Sequence, residues 1–119
     1  ALAAVSRSDQ FQGLGIDVTE AAPLPERTRR AILPHAAEQG LSPLEERAVF
    51  SAKESLFKAL FPLIGTYFGF EAAVVRVDFA GGEFEIGLTG SIGACNAGTC
   101  WTGQVTVEGG CLLTALMTH

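Results

Sequence analysis

Lysine is nearly missing from this chain: Lys53 and Lys58 are the only two in 119 residues. Eight Lys plus Arg stand against 13 Asp plus Glu, giving a formal charge of -5 with no basic stripe, which excludes general nucleic-acid binding through phosphate neutralisation. Long apolar runs are missing as well. Nothing approaches the roughly 18 to 20 uninterrupted apolar residues that span a bilayer, so no membrane segment is expected. The opening Ala-Leu-Ala-Ala-Val lacks the basic flank and length of a secretory signal. Cysteine is scarce and odd in number. Cys95, Cys100 and Cys111 have no CxxC or Cys/His spacing, which argues against a disulfide framework or a zinc site and reads as structural thiols in a reducing cytoplasm. There is no Walker loop, nucleophile elbow or dinucleotide fingerprint. Nor does the chain begin with methionine, and its first residues already read as strand, which suggests the second part of something longer.

What is present is enough to fold. Hydrophobic residues make up 48%, charged residues 18%, and the mean hydropathy is +0.31, too apolar for disorder. The length fits a single domain over residues 1–119. Leu2 to Ser6 and Gly13 to Thr19 read as strands, and the proline-bearing stretch from Ala21 to Gly40 as a loop with one or two helical turns. Ser42-Pro43-Leu44-Glu45 combines an N-cap, a first-turn proline and a capping-box glutamate, so a helix starts there and runs to about Leu63, stopping at Gly65, with Pro62 distorting its last turn. Ala72 to Phe79, Glu83 to Leu88, Thr99 to Glu108 and Cys111 to Thr118 read as antiparallel strands, with Gly81-Gly82 and Gly109-Gly110 at hairpin turns. The fold class is α+β, one long helix packed across an antiparallel sheet.

On a helical wheel, Phe50, Phe57, Phe61 and Ile64 form the core-facing stripe, widened by Leu56, Leu60 and Leu63. Glu54 lies on its edge. Arg47, Ser51 and Lys58 continue outward, while Lys53 projects from within the apolar arc, where an ammonium needs a partner or must snorkel out. Glu54 and Lys58 make an i,i+4 pair, ordinarily a solvated helix pair. Asp17 changes that balance, because it sits near the end of the apolar strand Gly13-Leu-Gly-Ile-Asp-Val-Thr19, where an acid is disfavoured unless satisfied. If the helix crosses that strand end, Asp17 and Glu54 can share a hard cation. Two carboxylates suit Mg²⁺, which keeps waters and takes substrate phosphate oxygens, and two lysines beside it suit a pyrophosphate.

Gly15-Ile16-Asp17-Val18, followed by Phe50-Ser51-Ala52-Lys53-Glu54-Ser55-Leu56-Phe57-Lys58-Ala59, resembles the paired motifs of the 4'-phosphopantetheinyl transferases, nearest the surfactin and enterobactin type. The first motif is weakly specific and the ten-residue second one strongly so. The resemblance implies a half-domain of an enzyme built from two homologous halves, this sequence matching the second half. It implies Mg²⁺-dependent transfer of the phosphopantetheine arm of coenzyme A to a serine of an acyl or peptidyl carrier protein, with release of adenosine 3',5'-bisphosphate. It makes Asp17 and Glu54 the metal ligands, and Lys53 and Lys58 the substrate-binding lysines near the coenzyme A phosphates. Glu54 and Lys58 become the catalytic pair, Lys58 steadying or protonating the leaving end and Glu54 able to take the serine proton through a bound water. The alternative is a noncatalytic half-domain that binds a carrier protein or a partner half.

The sequence also departs from the family pattern. Many relatives of the larger type have a second acid two residues after the aspartate, where this chain has Thr19; Glu20 stands at the spacing of the short trimeric holo-carrier-protein synthases, but on the opposite face of a continuing strand. The Ser-His segment and the basic residues of the first half are not in this sequence. Arg27, Arg29 and Arg30 form a basic cluster, either a solvated face or a dock for an acidic carrier protein. His35 and His119 read as surface histidines, and Trp101 and Tyr67 as packing residues. Phe50, Phe57, Phe61, Phe68 and Phe70 offer more aromatic surface than one small sheet covers, so a homo-oligomer or pairing with a missing half is expected.

Overall fold

A computed structural model describes residues 13–65, 68–93 and 95–118. The expected strand at Leu2 to Ser6, Tyr67 and His119 lie outside the described residues. Along the chain come β1 (Gly13–Glu20), α1 (Glu26–Ile32), a 3₁₀ turn (Ala36–Glu38), α2 (Pro43–Ile64), a second 3₁₀ turn (Phe70–Ala72), β2 (Ala73–Asp78), β3 (Glu83–Leu88), β4 (Cys100–Glu108) and β5 (Cys111–Thr118). The strands form one antiparallel sheet in the order β1-β5-β4-β3-β2, so an up-and-down meander is extended by the first strand lying beside the last. This is the expected α+β arrangement.

Local chemistry sets the ends of the elements. Ser42 accepts a hydrogen bond from the Glu45 amide while the Glu45 carboxylate accepts from the Ser42 amide, closing the capping box at the start of α2. Pro62 lies inside the last turn, and Gly65 ends the helix in the left-handed conformation. Gly109 and Gly110 both have positive φ, 57° and 80°, the geometry of a tight turn whose twist matches that of the flanking strands, and they join β4 to β5 directly.

The helix packs chiefly on β1 and β5, and glycine allows it to come close. A Cβ added at Gly15 would collide with the Ser55 carbonyl, and one at Gly13 with the Ala59 carbonyl. Small helix residues therefore face the part of β1 where Gly13 and Gly15 carry no side chain. Ser51, Ala52, Ser55, Leu56, Ala59 and Leu60 are all buried, whereas Phe50 and Phe57 are only partly buried and Phe61 is 42% exposed. The wheel reading is corrected here: the stripe facing the sheet is centred on the small residues, the phenylalanines sit at its margin, and Ser51 points inward. Bulk cannot enter where backbone meets backbone, so the rings gather on one flank. Phe57 packs against Phe61 and Phe68, and Phe50 against Phe70, with ring centroids 5.1 to 6.1 Å apart.

On the far side of the sheet the character divides. Ile16 and Val18 of β1 and Met117 of β5 are exposed apolar residues on the face turned away from α2. The meander side of the same face carries Arg76, Glu83, Glu85 and Gln104.

Candidate functional site

Strand alternation turns Gly15, Asp17 and Thr19 toward α2, and Ile16, Val18 and Glu20 away from it. Glu20 therefore lies on the face opposite Asp17. Thr19 faces the helix, but its hydroxyl accepts from Arg47, which also donates to the Ala22 and Pro23 carbonyls and so fastens the loop after β1. The Arg47 guanidinium lies 5.8 Å from the centre of the Phe50 ring.

Asp17 is 8% exposed, and each of its oxygens has a partner. The Ser51 hydroxyl donates to Oδ2 at 2.7 Å and the Lys58 ammonium to Oδ1 at 2.9 Å; Lys58 also donates to the Ile16 carbonyl at 3.1 Å. Glu54, one turn before Lys58 on α2, is half-buried. Desolvation pushes its carboxyl above the usual 4.5, the charge of Asp17 pushes the same way, and Lys58 pulls it back. Asp17, Glu54 and Lys58 thus form an electrostatic unit across the junction of strand and helix.

Lys53 has a different setting. It is 3% exposed, and its three protons go to Glu38 Oε1 at 3.0 Å, the Ile32 carbonyl at 2.8 Å and the Phe70 carbonyl at 2.9 Å. Glu38 is fully buried, and its second oxygen accepts from the Val75 amide. Desolvation lowers the Lys53 pKa and Glu38 works against that fall. The pair ties α1, the first 3₁₀ turn, α2 and β2 together. Lys53 and Glu54 also help line a cavity of about 80 Å³ walled by Leu56, Phe57, Phe68 and Phe70.

Two residues that sequence reasoning missed complete these arrangements. Glu38 lies in the proline-bearing segment, where no periodicity marks a residue as buried. Thr114, whose hydroxyl lies 2.8 Å from that of Ser51, could have been found, since alternation with Leu112 and Leu116 turns it inward. Other sequence candidates lie apart. Arg29 pairs with Glu46 at 2.7 Å, Arg30 with Glu26 at 3.4 Å, and Arg27 is exposed. His35 bonds to the Glu71 carbonyl, and Trp101 is in the core.

The donor set suits a hard cation. Asp17 and Glu54 could supply carboxylate oxygens from adjoining elements, with Glu54 sensing the charge of Asp17. Among the described residues, no three of His, Cys, Asp and Glu gather at one place, so such an ion would draw its remaining ligands from water or a bound phosphate.

A profile of the 4'-phosphopantetheinyl transferase superfamily matches residues 13–107, from β1 through most of β4. The chain belongs to this superfamily. Its match to the 4'-phosphopantetheinyl transferase Svp of Streptomyces mobaraensis is 36% identical over 94 residues, covering 72% of this chain and 38% of that protein. With the 4'-phosphopantetheinyl transferase Npt of Nocardia iowensis it shares 30% identity over 90 residues, covering 71% of this chain and 40% of that protein. The matched part of this superfamily member spans about two fifths of those curated relatives.

Proposed function

We propose that this chain is the catalytic half of a 4'-phosphopantetheinyl transferase, moving the phosphopantetheine arm of coenzyme A to a carrier-protein serine. The observation that carries the reading is the Asp17, Glu54 and Lys58 unit, two acids and one flexible ammonium at the junction of β1 and α2. In this reading Asp17 and Glu54 hold Mg²⁺. When bound, the ion would neutralise charge on the pyrophosphate of coenzyme A. The serine oxygen forms a bond to the phosphorus bearing pantetheine while the bridging P–O bond breaks, and the electron pair leaves with adenosine 3',5'-bisphosphate. Glu54 would take the serine proton through a water held between them. Lys58, half exposed, swings from Asp17 to the leaving phosphate.

Lys53 was expected to touch the phosphates. Its spent donors favour a supporting role, holding α2 and the Phe70 backbone beside Glu54. The free thiols of Cys95, Cys100 and Cys111 favour a reducing cytoplasm. Among the described residues no helix is long and apolar enough to cross a membrane. The Arg27 to Arg30 cluster offers Arg27 and Arg30 as exposed charges for an acidic carrier protein.

A second reading rests on length. A chain matching two fifths of its relatives can be a half-domain that acts only with a partner half or a second copy. The exposed Ile16, Val18 and Met117 offer a surface for that pairing. One experiment separates the readings: the chain is incubated with coenzyme A, Mg²⁺ and an apo carrier protein, and the carrier is weighed by mass spectrometry. The catalytic reading expects the added arm, with a loss of orders of magnitude in Glu54→Gln. Full activity in that variant overturns the site assignment, and no added arm with wild type favours the half-domain.

A further inference from the structure

Beneath Asp17 lies a chain of buried hydroxyls to which the transfer reading assigns no role. Ser55 and Thr114 are in hydrogen-bond contact at 2.5 Å, Thr114 and Ser51 at 2.8 Å, and Ser51 donates to Asp17 Oδ2 at 2.7 Å. All three hydroxyl residues are fully buried, at 0% exposure. Ser51 and Ser55 come from α2, one turn apart, and Thr114 comes from β5 at the position paired with Asp17.

Counting protons gives the chain a direction. Each hydroxyl has one proton to donate, and the Ser51 proton is committed to the acid. Ser51 Oγ is then left as an acceptor facing Thr114. The Thr114 proton has two acceptors in reach, Ser51 Oγ and the Ser51 carbonyl at 3.0 Å, both on the same residue. Ser55 in turn faces Thr114 Oγ1 and the Thr114 carbonyl. With the Thr114 proton on Ser51 Oγ the hydroxyl dipoles run from Ser55 through Thr114 to Ser51 and end on Oδ2; with it on the Ser51 carbonyl, Thr114 holds Ser51 by its backbone instead. Hydrogen bonds in such a chain polarise one another, and low polarity around them strengthens the effect.

We propose that Ser51, backed by Thr114, is a positioning residue for the Asp17 carboxylate: it fixes Oδ2 inward, so that Oδ1 is presented to the cation and to Lys58. Gly15 contributes by bringing the backbones of β1 and α2 close enough for a serine hydroxyl to reach the acid. Without the hydroxyl, Asp17 would be held only by the half-exposed Lys58, and a divalent ion that displaced that ammonium would have to order the carboxylate on binding. Groups that orient a metal ligand from behind typically matter by about 10- to 100-fold in affinity. The proposal rests on the metal assignment of the preceding subsection.

The test uses Mn²⁺ as a paramagnetic stand-in for Mg²⁺, titrated into the purified chain and followed by electron paramagnetic resonance, with thermal melting alongside. Ser51→Ala should weaken Mn²⁺ binding by about tenfold. Thr114→Val, which keeps the shape and removes the hydroxyl, should weaken it several-fold, and Thr114→Ser should bind as wild type does. The Thr114 pair keeps the test decisive if Ser51→Ala fails to fold. Unchanged affinity in Ser51→Ala and Thr114→Val overturns the proposal, as does equal loss in Thr114→Val and Thr114→Ser, which would assign the effect to packing. A wild-type chain that binds no Mn²⁺ removes the metal assignment itself and this proposal with it. Binding by wild type and equally by the hydroxyl-deleted variants removes the proposal alone.

Discussion

Lys53 and Glu54 are neighbours on one helix, yet the charges they join are treated in opposite ways. Around Lys53, every proton of the ammonium has an acceptor and both Glu38 oxygens have donors, with almost no water reaching either side chain. Around Glu54, the half-exposed Lys58 is bonded to Asp17, and the Glu54 carboxyl is raised in pKa by desolvation and by the charge of Asp17. A charge pair closed on itself acts as scaffold, since any ligand would have to break it. A pair of acids with an incomplete counter-charge has affinity to spare for a cation. The helical wheel sets Lys53 within the apolar arc and Lys58 outside it, and the structure adds what surrounds each.

Breaking the closed pair should have the largest effect. Glu38→Ala leaves a buried ammonium without its counter-charge, and chemical denaturation should show a loss of about 3–5 kcal/mol. The double replacement Glu38→Leu with Lys53→Met should recover much of that, because no buried charge remains. If the single and double variants are equally unstable, the pair is not the source of the loss. Next comes the backbone contact on which the open site stands: Gly15→Ala should cost about 3 kcal/mol or more by forcing α2 off β1, while Gly90→Ala, at a position with open space around it and no positive φ, should cost far less.

The open site should respond in affinity more than in stability. Lys58→Met removes the ammonium that competes for Asp17 Oδ1, so Mn²⁺ should bind up to about fivefold tighter, the scale of an exposed ion pair, even as arm transfer fails. Weaker binding in this variant would show that Lys58 supports the cation rather than competing with it.

The smallest effect is on the melting curve of Glu54→Gln. Folding raises the Glu54 pKa above 4.5, so the native state holds this proton more tightly than the unfolded chain does. The stability tied to it is present below 4.5 and is lost as pH rises through the folded value. At neutral pH the ionised Glu54 therefore works against the metal-free fold, and Glu54→Gln should melt slightly higher, an advantage that disappears on acidification below 4.5. Cation binding needs the ionised form, so in wild type Mn²⁺ affinity should fall as pH drops through a value above 4.5.

Elements with strong local signals were readable from sequence alone. The capping box at Ser42, the stop at Gly65 and the Gly109-Gly110 turn each follow from the chemistry of a few adjacent residues, and all three stand in the structure. The junction of Asp17 with the face of α2 was also legible, because an acid in an apolar strand and a charged helix motif each ask for a partner. The burial of Ser51 was not. A wheel weighs hydrophobicity and places phenylalanine at the centre, whereas the contact here is set by distance between backbones, which Gly13 and Gly15 on a different element decide. Glu38 escaped for a related reason: its partner Lys53 was flagged as needing one, but a loop has no period from which to find it.

The most direct test of the open site is a Mn²⁺ titration of wild type beside Glu54→Gln and the double variant Glu38→Leu with Lys53→Met. The assignment of Glu54 as a metal ligand requires one bound ion in wild type, loss of binding in Glu54→Gln, and binding retained in whatever fraction of the double variant is folded. Equal Mn²⁺ binding by wild type and Glu54→Gln would contradict it.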